Sequence, residues 1–207
     1  MKTEFSIIIA TFDRVTELEK LLTGIAEKFA RSPVTHEVIV ANNARDEAIA
    51  VKIEKLLEGF AEKHGNRFRY VREPAPGKCK AQNRAVAQAK GAILAFFDDD
   101  VEITPQWLDI AAEFFQRELF DIMQGPILVP PELQHDEKFL RAQQRFRTIN
   151  FVQYPPELRE INTLTGANIA VRREVFSKVG GFNEELGPGR SGISEDVEFA
   201  KRVIRAG

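Results

Sequence analysis

One cysteine in 207 residues, Cys79, rules out an internal disulfide and any disulfide-stapled secreted scaffold. A reducing compartment, the cytoplasm, is the expected location. Net charge is nearly absent as well: 29 Lys plus Arg face 31 Asp plus Glu, for a formal −2. No bulk field draws the chain to nucleic acid or to an anionic membrane, so no nucleic-acid partner is expected and any phosphate recognition must be local. The apolar start, Ile7-Ile8-Ile9-Ala10, is too short for the core of a secretion signal. No other run approaches the roughly 20 apolar residues of a membrane-spanning helix, although peripheral attachment at the inner face of a membrane stays compatible with this. A Gly-rich Walker sequence before Lys78 is missing, so the phosphate-cradling loop of nucleotide triphosphatases is excluded. Repeats, low-complexity tracts and linkers are missing too, and residues 1–207 are expected to form a single domain.

What the chain does contain is 43% hydrophobic residues, enough for one substantial core, arranged in a regular alternation. Short runs rich in Ile, Val and Phe predict strands at residues 5–10, 37–41, 67–72, 92–97, 121–129 and 164–171. Between them, apolar positions at helical spacing predict helices over 14–30, 47–63, 78–89 (capped by Gly91), 106–117, 135–146 and 194–206. Strands alternating with helices imply an α/β fold: a mainly parallel central sheet flanked by helices, with a Rossmann-like N-terminal half. Residues 151–163 have no clear period.

In an open parallel sheet, ligands bind beyond the carboxyl ends of the strands. That edge collects Ala10, Thr11 and Arg14, then Asn42 and Asn43, residues 72–77, and Asp98-Asp99-Asp100. Three adjacent carboxylates repel one another and need positive charge nearby. A divalent ion would supply it, since hard cations take carboxylate oxygens; a solvated acidic turn is the alternative. In an extended segment Asp98 and Asp100 would share one side and Asp99 the other. Lys78, Lys80 and Arg84 follow Gly77, so a helix N-terminus and basic side chains approach the place of a diphosphate. Glu195 and Asp196 open the last helix, as capping acids or as a general base facing a substrate hydroxyl. Trp107, Phe146, Phe151 and Tyr154 offer a sugar-stacking surface or simply core, and 151–163 is the candidate acceptor loop. His36, His64 and His135 are read as surface or packing residues.

In this order, these segments resemble the family 2 inverting glycosyltransferases, which share the GT-A fold. Thr11-Phe12-Asp13-Arg14 is similar to the family's Pro-Thr-Tyr-Asn-Arg turn, and Asp98-Asp99-Asp100 to its Asp-X-Asp signature. Thr165-Gly166-Ala167-Asn168 resembles the acceptor-side strand, Gly180-Gly181-Phe182-Asn183-Glu184 the Gly-Gly-Phe-Asp-Glu loop, and Glu195-Asp196 the Glu-Asp helix. The resemblance implies a nucleotide-sugar-binding half at 1–103 and an acceptor-binding half at 104–207. The donor nucleotide would be held by Ala10, Thr11, Arg14, Asn42, Lys78, Arg84, Asp98 and Asp99. Mg²⁺ or Mn²⁺ would sit on Asp100 with Asp98, Asp196 would be the catalytic base beside Glu195, and Gly166, Ala167 and Asn168 would line the acceptor side. A UDP-sugar is the favoured donor, although Asn42 stands where the family carries Asp. A carbohydrate or lipid-linked acceptor and a role in cell-surface polysaccharide biosynthesis follow from the same likeness. The family continues past the position of Gly207 with a His-bearing strand, so a truncated domain is expected. A donor-binding module without turnover and a sugar nucleotidyltransferase are the competing readings.

Overall fold

Apolar runs too short for helices become the strands of one sheet, and the amphipathic stretches between them become its covering helices. The computed structural model describes residues 4–146, 163–192 and 194–206. Its first half contains β1 (Phe5–Thr11), α1 (Val15–Lys28), β2 (His36–Asn42), α2 (Glu47–His64), β3 (Phe68–Arg72), α3 (Lys78–Gln88) and β4 (Ile93–Asp98). Its second half contains α4 (Trp107–Gln116), β5 (Ile122–Gln124), a 3-10 turn (Pro131–Leu133), α5 (Glu137–Phe146), β6 (Asn168–Arg172), α6 (Arg173–Val179) and α7 (Glu195–Ala206). The strand order is β3-β2-β1-β4-β6-β5. β1 to β4 run parallel with a helix in each connection, while β6 runs antiparallel to both β4 and β5. The mainly parallel sheet with a Rossmann-like half is present.

Strand alternation divides the core into two layers. Ile7, Ile9 and Phe97 turn toward α1, α2 and α4, where Leu22, Ile53 and Leu108 cover them. Ile8, Leu94 and Phe96 turn toward α3, α6 and α7, meeting Ala85, Phe176 and Phe199. Burying each large side chain contributes about 1.5–3 kcal/mol, so the sheet is locked between two apolar layers and its carboxyl edge becomes a fixed platform.

The structure corrects four local expectations. The strand expected over 121–129 stops at Gln124, because a Cβ on Gly125 would lie 2.2 Å from Asn168 Nδ2 and Pro126 has no N–H to give a ladder. β6 starts at Asn168 rather than 164, after a turn at Gly166 and Ala167. Gly91 is not a helix cap; α3 ends at Gln88 with Ala89 as its cap, and Gly91 lies so close under β1 that a Cβ would sit 2.4 Å from the Ser6 nitrogen. α6 was not foreseen, since seven residues give too little periodicity to register.

Candidate functional site

Parallel pairing brings the ends of β1 to β4 to one edge. Ala10 lies opposite Asp98, and Thr11 opposite Asn42. β6 runs the other way, so its start belongs to the same edge: Phe97 pairs with Asn168, which places Gly166 and Ala167 beside the end of β4.

The acidic run divides among the chain's own cations. Asp98, the last residue of β4, follows Leu94 and Phe96 onto the α3 side, where Lys78 Nζ donates to its Oδ1 at 2.5 Å. Asp99 turns to the opposite face and accepts from Thr11 Oγ1 at 2.7 Å. Asp100 does not return to the side of Asp98. The chain has already turned, and Arg14 bonds both Asp99 and Asp100. The alternation expected for an extended segment therefore holds for one step only. Burial raises the Asp99 pKa, with Asp100 and Asp98 adding to that, against Thr11 and Arg14, which lower it. Asp100, then Asp99, holds the Arg14 guanidinium above its ordinary value despite partial burial.

Lys78 joins this run to the start of α7. Its Nζ is 3.7 Å from Glu195 Oε1 as well as bonded to Asp98. Burial works against the ammonium, but Asp98, Glu195 and Asp196 outweigh it and raise its pKa. Asp196 Oδ2 accepts the Gly166 N–H at 2.9 Å, and a Cβ on Gly166 would stand 3.5 Å from Lys78 Nζ and 3.8 Å from Asp196 Oδ2. Ser194, the residue before α7, takes the left-handed backbone at φ 83°, a conformation costly for a residue with a Cβ. Gly187 leaves room for Glu195: a Cβ there would lie 3.2 Å from both the Glu195 carboxyl carbon and Cys79 Sγ. Burial, with Glu195 nearby, pushes the Cys79 thiol up to about 12, so it packs as an inert apolar group.

Not every expected residue reaches this cluster. Asn42 is fully buried; its amide donates to Ala50 O and Tyr70 Oη, and its Oδ1 accepts from Ala44 N. Arg84 pairs with Glu73 on a separate cleft that also includes Lys80 and Glu184. Asn168 accepts from Trp107 Nε1 and donates to Pro126 O, while Trp107 packs edge-on against Phe5 and Phe97, so both belong to the core. The N-terminus of α3 is also less open than expected, because the Lys78 N–H donates to Pro188 O and the Gly77 N–H to Asn43 Oδ1. His36 and His64 pack on Phe29 and Phe60, and His135 is exposed. The side chain of Phe146, and Phe151, Tyr154 and the candidate acceptor loop up to residue 162, lie outside the described residues.

Two residues organise the edge in ways that spacing did not reveal. Asn43 donates to Glu73 O and Ala75 O while accepting from Gly77, which fixes the β3–α3 loop. Asn83 ties α3 to the loop before α7 through Phe182. The Asn42-Asn43 pair at the end of β2 was the signal for the first.

Among the described residues no ready-made group of three His, Cys, Asp or Glu surrounds an ion position. The donor chemistry nevertheless fits a hard divalent cation. Asp98 and Asp100 stand at an open edge, each paired on one oxygen with a cation, and among the described residues each keeps its other oxygen without a hydrogen bond.

Known proteins resemble the chain in sequence and in fold. Glycosyltransferase AglE of Haloferax volcanii is 24% identical over 98% of this chain and 62% of its own length. Beta-monoglucosyldiacylglycerol synthase of Trichormus variabilis is 23% identical over 96% of this chain and 40% of its own. Among solved structures, the mannosyltransferase PcManGT of Pyrobaculum calidifontis, in complex with GDP-Man and Mn²⁺, superposes with a TM-score of 0.67 at 19% identity, covering 98% of this chain and 52% of that one. TarS 1-349 of S. aureus with UDP-GlcNAc gives 0.62 at 21% identity, covering 99% and 54%. The chain thus has the GT-A fold and spans between about two fifths and three fifths of the length of these proteins. The Glycosyl transferase family 2 model matches residues 6–180, from β1 through the acidic run to the end of α6, and the chain belongs to that family.

Proposed function

We propose that this chain carries the donor-binding and catalytic centre of an inverting glycosyltransferase, with Asp196 as the general base. The observation that supports this most is the convergence of the α7 start on the end of β4. Lys78 bridges Asp98 and Glu195, and Asp196 is held against Gly166 one residue away. In this reading residues 1–103 bind a nucleotide-diphosphate sugar and residues 104–207 the acceptor. Ala10, Thr11 and Arg14 flank the nucleotide, and Asp98 and Asp100 hold Mg²⁺ or Mn²⁺. When bound, the ion offsets charge on the departing nucleoside diphosphate. The Gly166 N–H and the Val197 N–H, 2.8 Å from Asp196 Oδ1, orient the Asp196 carboxylate. Each oxygen keeps a lone pair free to take the acceptor hydroxyl proton. The acceptor oxygen then bonds to the anomeric carbon as the bond from that carbon to phosphate breaks on the opposite face, so the configuration inverts.

A UDP-sugar is the first donor to try, since UDP-GlcNAc occupies one structural neighbour, with a GDP-sugar as the second, since GDP-Man occupies another. A relative named as a glucosyldiacylglycerol synthase supports testing lipid-linked acceptors beside carbohydrates. Asp196→Asn keeps the size of the side chain and one acceptor oxygen while removing the base. It is expected to bind donor as the wild type does and to transfer sugar about 10²–10⁴-fold more slowly. Wild-type transfer by Asp196→Asn would refute the assignment.

A further inference from the structure

Arg14 sits at the start of α1 with half its side chain exposed, and it reaches across the sheet edge to Asp99 and to Asp100. Lys78, by contrast, is 18% exposed and wedged between Asp98 and Glu195. The two cations therefore differ in how easily each can leave. Lys78 is enclosed by acids on both sides, while the Arg14 guanidinium is held to Asp100 on the solvent side, where long side chains exchange partners at small cost. Asp100, itself 45% exposed, is the outermost acid of the run. A cation approaching from solvent meets the Arg14–Asp100 pair first.

Resting on the proposed metal role of Asp100, we infer that Arg14 is a built-in counter-ion which a divalent cation must displace from Asp100. In the cation-free chain Arg14 neutralises the outer acids, so three adjacent carboxylates are tolerated without an ion. Entry of a divalent cation releases the guanidinium, which stays tethered at the same edge, within reach of an anionic ligand. Arg14 thereby sets the affinity of the site, weakening the cation alone and leaving a positive charge free once the ion is seated. Asp99 keeps its bond from Thr11 through the exchange, so the end of β4 does not have to move.

Titration of the nucleotide-free chain with Mn²⁺, read by the electron paramagnetic resonance signal of the free ion, tests this directly. Arg14→Gln is expected to bind Mn²⁺ about threefold or more tightly than wild type, the range an exposed ion pair allows. Arg14→Lys, which keeps the charge, is expected to bind within about twofold of wild type by the same measure. Thermal melting gives a second readout. Without metal Arg14→Gln melts lower than wild type, and saturating Mn²⁺ raises its Tm by more than it raises that of wild type. Equal or weaker Mn²⁺ binding by Arg14→Gln, with wild-type binding intact, overturns the counter-ion role and leaves the metal site standing. No Mn²⁺ binding by any of the three proteins overturns both.

Discussion

Lys78 is the residue on which the site's electrostatics turn. One ammonium compensates Asp98, lies 3.7 Å from Glu195 and is stabilised by Asp196, in a position where burial alone would favour the neutral amine. Lys78→Met preserves much of the apolar stem and removes the charge, leaving two part-buried carboxylates uncompensated. The expected loss is about 1–3 kcal/mol of stability, read from urea denaturation midpoints. A variant as stable as wild type would show that solvent already screens these acids. The acidic run was legible in the sequence as a cluster needing positive charge. Its partners were not, because Lys78 lies 20 residues before Asp98, and Arg14 85 residues before Asp99. Asn42 was legible only as a polar residue at a strand end. That its amide would be consumed by Ala50, Tyr70 and Ala44 follows from packing that no spacing reveals.

At the scale of elements, long periodic segments were readable and short ones were not. β1, β4, α1 and α2 lie close to their expected bounds, since each carries enough apolar repeats to fix its period. β5, with three residues, and α6, with seven, depend on what they pack against. The sequence cue that failed was glycine, because Gly91 and Gly125 serve close backbone approach rather than helix capping or strand continuation. Helix ends also give two clean tests away from the site. Glu118 follows α4 in the left-handed region at φ 53°, its N–H bonded to Phe115 O. Glu118→Gly is expected to stabilise the protein by up to about 1 kcal/mol, measured by chemical denaturation. Asp46 caps α2 by accepting from Ala48 N at 2.7 Å and Ile49 N at 3.3 Å. Asp46→Ala is expected to cost about 1 kcal/mol in the same assay. A Glu118→Gly variant less stable than wild type, or an Asp46→Ala variant as stable as wild type, would contradict the left-handed end of α4 or the Asp46 cap of α2.

Over the whole molecule, a parallel half that presents strand ends and an antiparallel β6 that feeds back to the same edge make a single rim. The far end of the sheet is held by a buried carboxylate. Glu37 accepts from Ser6 Oγ at 2.7 Å, from Arg69 at 2.8 Å and from the Lys90 N–H at 2.5 Å. Burial would raise its pKa, but the bonds from Ser6, Arg69 and Lys90 prevail and hold it below the ordinary glutamate value. The folded chain therefore binds this proton more weakly than the unfolded chain. Its contribution is complete above the unfolded pKa and is lost as pH falls through the folded one. Glu37→Gln should cost about 2 kcal/mol at pH 7, with the gap to wild type narrowing below about pH 4. Among the described residues no helix is long and apolar enough to cross a membrane. On this rim the acidic run is proposed to bind a nucleoside diphosphate through a divalent cation. Calorimetric titration of the chain with UDP, with and without Mn²⁺, beside Asp100→Ala, tests it most directly. UDP binding is expected to require Mn²⁺ and to be lost in Asp100→Ala; UDP binding of equal strength without the ion, or in Asp100→Ala, refutes a metal-bridged diphosphate site.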